Sequence, residues 1–310
     1  MRRADPATWS DASFPGDPNH GMLLGRGVGQ SDFSWEARTL PRVLRAFEQV
    51  WGLPAGAPLL SSFDGAAFFR PPQLKAAWAT EASLRWLHVD QGKDKVGCAA
   101  VQGALLLYDQ VRRSRLAEDR DSVPWPSLSS AQSLHLAASD QDVASGGLVV
   151  LPRSHLRHAE LTADQPPAAH GGVDYCAVPA DDPRLAGLGA ARLLCARAGD
   201  LLLWDSRTVH ASEPAKVATP LPRDDDGRPR PSRAACYVCH VPAAPHLARD
   251  ATVGARRAHS LEHWLTCTHW PADNRMASQG HQPPDPSRLD RLPPEVRALV
   301  LGLPRMDAGE

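Results

Sequence analysis

A histidine and an aspartate two residues apart form the pair in this sequence best suited to bind a metal ion. The segment Trp86-Leu87-His88-Val89-Asp90 is predicted to be a β-strand that runs into a loop. Because side chains at positions i and i+2 of a strand lie on one face, Trp86, His88 and Asp90 are expected to point the same way. An imidazole and a carboxylate supply two of the three ligands of the facial site that non-haem Fe(II) enzymes use. Taken alone, such a pair is more often an ordinary polar contact, so other features of the sequence must show whether it binds a metal.

A later strand offers the missing ligand and a partner for a co-substrate. Residues 201–212 are predicted to form one extended strand that carries His210 and Ser212 on the same face. In a jelly roll, early and late strands can be neighbours, so the long gap between Asp90 and His210 is no obstacle. A 2-oxo acid that chelates iron leaves a distal carboxylate, which the planar guanidinium of Arg233 matches. Ser212 can add a hydroxyl, and Gln102 is predicted to reach either the 2-oxo acid, a bound water or a neighbouring strand.

Composition favours an intracellular, β-rich protein that acts on a small molecule. The 310-residue chain has a formal net charge of −1, which indicates neither nucleic acid nor a membrane surface as partner. Its first residues lack the apolar core of a secretory signal, and its six cysteines are expected to be reduced thiols, so we expect a cytoplasmic location. The 29 prolines and 23 glycines predict many turns and few long helices. The oligomeric state is not predicted.

Short strands between turn signals, with helices mainly at the two ends, predict a mainly-β sandwich or barrel. Residues 1–54 are expected to form an arm and a helix, residues 55–245 the β domain, and residues 246–310 a helical extension that packs on it. Two solvated insertions are predicted, at 111–130 and 213–232. The predicted helices are 35–51, 247–265 and 294–301, and the predicted strands are 59–63, 66–70, 84–90, 96–108, 133–137, 148–151, 191–196, 201–212 and 233–241.

Other candidate ligands have weaker support. The pattern Cys236-x-x-Cys239-His240 matches haem attachment, but residues i and i+3 of a strand face opposite ways, so core packing is favoured. Cys267 and His269 lack partners at zinc-site spacing and are interpreted as structural. Alternative histidine ligands are His135, His155, His158, His170 and His240. Arg70 is expected either to reach a charged substrate or to lie in solvent, and Trp86 and Trp204 either to wall the pocket or to join the core.

Four motifs in order carry a resemblance to a known family. They are His88-Val89-Asp90-Gln91, residues 146–155, residues 198–205 with His210-Ala211-Ser212, and Arg233 ahead of Tyr237. Over about residues 55–245 the chain resembles the phytanoyl-CoA dioxygenase family, which comprises Fe(II)- and 2-oxoglutarate-dependent oxygenases on a double-stranded β-helix, a cupin-like jelly roll. The resemblance implies that His88, Asp90 and His210 bind iron and that Arg233 with Ser212 holds 2-oxoglutarate.

The chain departs from the family pattern at two places. The usual Pro-Gly-Ser-His turn is Pro152-Arg153-Ser154-His155, and Arg233 lies 23 residues beyond His210, farther than is usual. An insertion at 213–232 accounts for the second departure, with Arg223 as the competing anchor.

The resemblance implies that 2-oxoglutarate is decarboxylated to succinate, with O2, while a C–H bond of the substrate is oxidised. In related halogenases a small residue replaces the carboxylate ligand, so Asp90 predicts hydroxylation or a related oxidation. Nothing in the sequence marks a site for a CoA thioester. The alternatives are a cupin-like metal-binding protein or isomerase without oxygen activation, and a scaffold without catalysis.

Overall fold

The computed structural model describes residues 5–107, 145–165, 174–218 and 220–305. The predicted insertion at 111–130, the predicted strand at 133–137, His135 and His170 lie outside these residues. Within them, no helix is long and apolar enough to cross a membrane.

Two antiparallel sheets build the body of the protein, which confirms a β-rich chain with some helices. The larger sheet has the order β1-β2-β4-β12-β6-β10, with β3 also paired to β12; the smaller has the order β8-β5-β11-β7-β9; β13 and β14 form a separate pair. The strands are β1 (Gly16–Asp17), β2 (Met22–Leu23), β3 (Leu59–Ser61), β4 (Ala66–Phe69), β5 (His88–Val89), β6 (Val101–Leu106), β7 (Gly147–Val150), β8 (Cys176–Ala177), β9 (Arg192–Leu193), β10 (Leu201–Asp205), β11 (His210–Glu213), β12 (Arg233–Pro242), β13 (Thr266–Cys267) and β14 (Met276–Ser278).

Helices are short and lie mainly before and after the sheets. Short 3-10 turns occupy Pro6–Thr8, Asp11–Ser13, Val28–Gln30, Ala76–Trp78, Ser83–Arg85, Ser154–Arg157 and Pro183–Leu185. The α-helices are α1 (Asp32–Thr39), α2 (Pro41–Val50), α3 (His158–Leu161), α4 (Ala243–Arg249), α5 (Val253–Glu262), α6 (Arg288–Arg291) and α7 (Pro294–Leu301).

The period of two along each strand divides the apolar side chains among three layers. Between the sheets, Ala104 and Trp204 of the larger sheet share a buried cluster with Leu148 and Val150 of β7. Helix α2 covers the outer face of the larger sheet. The outer face of the smaller sheet has its own apolar cluster. Polar residues on the inner faces therefore lie between the two sheets.

A buried arginine fastens the C-terminal helices to the sheets. The side chain of Arg257 on α5 is fully buried and donates hydrogen bonds to carbonyl oxygens of Ser61, Pro271, Leu299 and Val300. Burial lowers its pKa to about 9. Since the four carbonyls lie on β3, α7 and the loop after β13, one side chain holds three segments together.

Several predicted elements are wrong in extent. The predicted helix at 35–51 is two helices that meet at Leu40, because Pro41 has no N–H to continue a helix and instead starts α2. The predicted helix at 247–265 is likewise divided between α4 and α5. The predicted strand at 84–90 is reduced to His88–Val89 after a 3-10 turn.

Three predictions for the strands are also wrong. The predicted strand at 96–108 begins only at Val101, and Val96 is 94% exposed. The common turn pair Asp64-Gly65 predicts that the two short strands beside it pair with each other, but β3 and β4 both pair with β12 instead. The predicted single strand at 201–212 is β10 and β11, which lie in different sheets.

Candidate metal centre

Three potential ligands converge on the inner face of the smaller sheet. The ligand atoms of His88, Asp90 and His210 all lie within 4.8 Å of one another. His210 Nε2 is 3.2 Å from Asp90 Oδ2, and His88 Nε2 is 3.7 Å from Asp90 Oδ1. Both histidines are buried, at 6% and 5% exposure. The residues predicted from spacing as one site are therefore neighbours in space.

Strand pairing sets the positions of the two histidines. His88 on β5 lies directly opposite His210 on β11, and their ring centroids are 4.4 Å apart. The alternate residues Leu87, Val89 and Val209 lie in the apolar cluster on the outer face. The period of two thus separates an apolar face from a face that carries metal-ligand chemistry.

Both histidines present the same ring nitrogen to Asp90. His88 Nδ1 is 2.8 Å from the carbonyl oxygen of Trp86, and His210 Nδ1 is 2.8 Å from that of Thr208. A carbonyl only accepts, so each Nδ1 carries the proton and donates it. This leaves the lone pair of each Nε2 for a metal, which is the usual arrangement of a metal-binding histidine.

The carboxylate of Asp90 is held from the opposite sheet. Gln102 on β6 donates from its side-chain amide to Asp90 Oδ2 over 3.0 Å. Gln102 therefore faces the cluster and contacts the candidate ligand Asp90, not a residue on a neighbouring strand of its own sheet. The contact orients one carboxylate oxygen of the cluster.

The electrostatics of the cluster suit a bound cation. Burial, reinforced by His210, lowers the pKa of His88 to about 4. Burial alone would raise the pKa of Asp90, but the neighbouring His88 and His210 hold it well below its ordinary value. At neutral pH the centre therefore offers a neutral imidazole at His88 and an ionised carboxylate, both ready to act as ligands.

A buried arginine lies beside the cluster without a carboxylate partner. Arg233 is 1% exposed, and its Nη1 donates to Ser212 Oγ over 3.1 Å. Within the described part of the chain it forms no ion pair, and its Nε has no hydrogen-bond partner. Burial lowers its pKa, which the Tyr237 phenol partly offsets. Ser212 lies two residues from His210 on β11, so the guanidinium reaches the strand that carries a candidate ligand.

Aromatic rings surround the two histidines. Trp86 and Tyr175 both stack on His88, with centroids 5.2 and 4.7 Å away, and Trp204 lies 5.5 Å from His210. Tyr175 was not predicted from the sequence, because it follows a Pro- and Gly-rich stretch without a motif. Burial and the nearby Asp90 raise its pKa.

A third histidine near the centre comes from the C-terminal segment. Burial lowers the pKa of His269, with Asp90 opposing and His210 adding to the shift. Its Nε2 is buried and has no partner among the described residues, and its ring lies 4.7 Å from that of Trp270. The interpretation of His269 as purely structural missed this, since only the fold brings residue 269 close to residues 88–90.

Ion pairs connect this segment to the loop that follows Asp90. Lys95 Nζ lies 2.7 Å from Asp174 and 3.1 Å from Asp273, and 4.3 Å from the Trp270 ring. Arg275 lies 3.4 Å from the other oxygen of Asp174. Asp174, which precedes Tyr175, thus connects the loop after Asp90 with the C-terminal segment through Lys95 and Arg275.

The arginine alternatives have other contacts. Arg70 is 3% exposed, so it does not lie in solvent, and it donates hydrogen bonds to Trp9 O and the Asp11 carboxylate. Among the described residues it has no contact with the cluster. Arg223 donates to Gly227 O within its own turn.

The histidine and cysteine alternatives that lie among the described residues also have no place in the cluster. His158 Nε2 bonds the carbonyl of Gln91, and the ring of His240 packs on Phe47 of α2. His155 belongs to neither of the metal-ligand groups found in the described residues. Cys236 and Cys239 are free and join different apolar clusters, as the spacing predicts.

A β-rich chain with a His–Asp–His cluster between two sheets is compatible with a metal-dependent oxygenase, and the comparisons with known proteins support that class. The family model for "Phytanoyl-CoA dioxygenase (PhyH)" matches residues 112–219, which confirms the resemblance seen in the motifs. The matched stretch includes His210 and Ser212 but ends before Arg233 and begins after Asp90.

One curated relative matches most of the chain. It is "Ava biosynthesis cluster protein O" of Aspergillus versicolor, which is 26% identical over 276 residues, covering 86% of this chain and 71% of the relative. No solved structure matches.

Proposed function

We propose that this protein is an Fe(II)- and 2-oxoglutarate-dependent dioxygenase that oxidises an unactivated C–H bond of a small organic substrate. In this proposal the two sheets are those of a double-stranded β-helix at residues 55–245. Residues 1–54 and 246–310 are the N-terminal arm with its helices and the C-terminal helical extension. His88, Asp90 and His210 are the iron ligands, and Arg233 with Ser212 binds the co-substrate.

The donor set fits Fe(II). Two imidazole nitrogens and one carboxylate on one side of a metal leave the opposite positions open, as in non-haem Fe(II) oxygenases. The Nδ1 hydrogen bonds of both histidines and the Gln102 contact to Asp90 supply the outer contacts that such ligands need.

The buried guanidinium of Arg233, which pairs with no carboxylate among the described residues, is the observation that carries the proposal. Burying a charge costs free energy unless an opposite charge lies beside it, so the buried guanidinium of Arg233 favours binding of an anion. In the proposal, the distal carboxylate of 2-oxoglutarate accepts two hydrogen bonds from this guanidinium, and Ser212 Oγ adds a third polar contact.

Iron, when bound with 2-oxoglutarate and O2, supplies the oxidising power, and the protein supplies position and a dry site. His88 and His210 hold their Nε2 atoms toward the metal position. Gln102 keeps one oxygen of Asp90 oriented. Trp86 and Tyr175 pack on His88, and Trp204 lies beside His210, so these rings limit the access of water to the ligands.

Asp90 favours hydroxylation or a related oxidation over halogenation, because its carboxylate occupies the ligand position that a halide would need. The paired charges of Lys95, Asp174, Asp273 and Arg275 leave no uncompensated charge among them for a highly charged substrate. A CoA thioester is therefore not part of the proposal.

Succinate release tests the function. Protein loaded anaerobically with Fe(II) is mixed with 2-oxoglutarate and O2, and succinate is measured with and without candidate substrates. We expect succinate from the parent and none from His88→Ala, whereas His155→Ala, which removes a histidine outside the cluster, keeps the parent rate. Parent-like turnover by His88→Ala would overturn the metal assignment, and a parent that binds metal but never consumes 2-oxoglutarate would favour the cupin-like alternative.

A further inference from the structure

A second cluster of potential metal ligands lies at the end of helix α5. The ligand atoms of His259, Glu262 and His263 all lie within 4.8 Å of one another, and the two imidazole centroids are 3.9 Å apart. His259 is exposed, and the other two are partly buried. None of the three belongs to the cluster of His88, Asp90 and His210.

The helix itself brings the three side chains together. Residues three and four apart share one face of a helix, so His259 faces both Glu262 and His263 one turn later. Helix α5 ends at Glu262, and His263 is its C-terminal cap with nearly helical geometry. The spacing His-x-x-Glu-His therefore becomes a three-ligand patch at a helix end.

One histidine is already oriented as a ligand. His263 Nδ1 lies 2.9 Å from the carbonyl oxygen of His259, so Nδ1 donates its proton and Nε2 keeps its lone pair. His88 and His210 have the same arrangement in the candidate iron centre. A fixed Nδ1–H is the outer contact that metal-binding histidines commonly have.

The carboxylate of Glu262 has no competing partner in the described part of the chain. No salt bridge or side-chain hydrogen bond involves it there, although Arg288 and Arg291 belong to the neighbouring helix α6, which packs against α5. A carboxylate beside two imidazoles, unpaired with any arginine, remains available to a cation.

From this geometry we infer that His259, Glu262 and His263 bind one divalent transition-metal ion of the Cu(II) and Zn(II) class. Two imidazole nitrogens and one carboxylate oxygen suit these ions better than Mg²⁺ or Ca²⁺, which prefer oxygen ligands alone. Water completes the coordination on the exposed side. The site is a binding site that does not depend on the proposed oxygenase activity.

Metal at this position would stabilise the C-terminal end of helix α5, because all three ligands lie on that helix or its cap. The same helix carries Arg257, whose buried hydrogen bonds connect β3, α7 and the loop after β13. An ion that binds the folded helix end and not the unfolded chain stabilises the fold by mass action. The melting temperature is therefore expected to rise with Zn²⁺ concentration, even where the candidate iron centre is already filled.

Counting bound metal tests the inference. Isothermal titration with Zn²⁺ is expected to give two equivalents for the parent and one for the double variant His259→Gln/His263→Gln. The control His155→Gln keeps two. If the candidate iron centre fails to bind metal, the counts become one for the parent and none for the double variant, so the two proposals fail separately.

Electron paramagnetic resonance with Cu(II) identifies the ligands. In the parent, one population of bound Cu(II) is expected to show nitrogen hyperfine coupling from the two imidazoles of this site. The double variant is expected to lack that population, and Glu262→Gln is expected to weaken the affinity for Cu(II). Because His259 is exposed, the variants are expected to melt like the parent in the absence of metal. The same number of Zn²⁺ equivalents in the parent and a well-folded double variant would overturn the inference.

Discussion

Replacing Arg233 by methionine separates binding of the co-substrate from stability of the fold. The side chain is 1% exposed, donates to Ser212, and forms no ion pair with the described residues. Losing one partner of a buried, hydrogen-bonded charge pair costs about 2–5 kcal/mol. A loss of about 3 kcal/mol weakens the affinity for 2-oxoglutarate by about a hundredfold.

The ligand-free protein is expected to respond in the opposite direction. Arg→Met removes a buried charge that nothing described neutralises, and buried charges replaced by well-packed apolar residues are often neutral or stabilising by about 1–4 kcal/mol. The lost hydrogen bond to Ser212 and the contact with Phe69, 5.1 Å away, offset part of this gain. We therefore expect a melting temperature at or above that of the parent.

The assay is isothermal titration of 2-oxoglutarate into anaerobic, Mn(II)-loaded protein, with thermal melts of the ligand-free forms. Arg223→Met is the matched control, because Arg223 bonds within its own turn and competes for the role of anchor only by its place in the sequence. An Arg233→Met protein with parent affinity, or an Arg223→Met protein that alone loses binding, would refute the reasoning.

Three further changes have defined outcomes. Gln102→Leu removes the hydrogen bond to Asp90 and is expected to weaken Mn(II) binding about 10- to 100-fold, as loss of an outer contact does elsewhere; unchanged titrations would contradict this. Burial with three nearby arginines lowers the pKa of His240 to about 3 from 6.5, so its contribution to stability is complete above pH 6.5 and is lost as the pH falls. Between pH 6 and pH 4 the free energy of unfolding, measured by urea titration, is expected to fall more steeply in the parent than in His240→Gln. The two slopes should differ by at most about 1.4 kcal/mol per pH unit, and equal slopes would be evidence against this role of His240. Asp174→Asn breaks ion pairs to two basic side chains and should cost about 1 kcal/mol in the same titrations, against a few tenths for the exposed Asp164→Asn; equal losses would show that the network adds nothing.

The candidate ligands could be predicted because their relation depends on short-range periodicity. The period of two places Leu87 and Val89 on the side opposite His88, and Val209 and Ala211 on the side opposite His210, and the buried clusters follow this division. The pairing of β5 with β11 depends on the whole fold and cannot be predicted from the spacing of residues. The family resemblance supplied the prediction that His210 joins His88 and Asp90.

The strand predicted at 201–212 runs across the boundary at residues 206–209 because apolar residues stand on both sides of it, although residues 205–208 are all polar. The break depends on a local polar contact: Asp205 Oδ1 accepts the backbone N–H of Arg207 at 2.9 Å and so turns the chain. The sequence Asp205-Ser206-Arg207 carries that turn chemistry. The turn lets β10 and β11 enter different sheets, which a single strand could not do.

The division between the sheets also determines which properties of the site depend on packing. His88 and His210 lie on paired strands of the smaller sheet and Asp90 immediately follows one of them, whereas Gln102 and Arg233 reach across from the larger sheet. Loosening the apolar layer between the sheets would therefore move Arg233 away from Ser212 while the two histidines stay paired. Affinity for 2-oxoglutarate should consequently fall more than affinity for metal in variants that weaken this layer. The co-substrate loses its anchoring charge, Arg233, whereas the metal keeps its three ligands and loses only the Gln102 contact to Asp90.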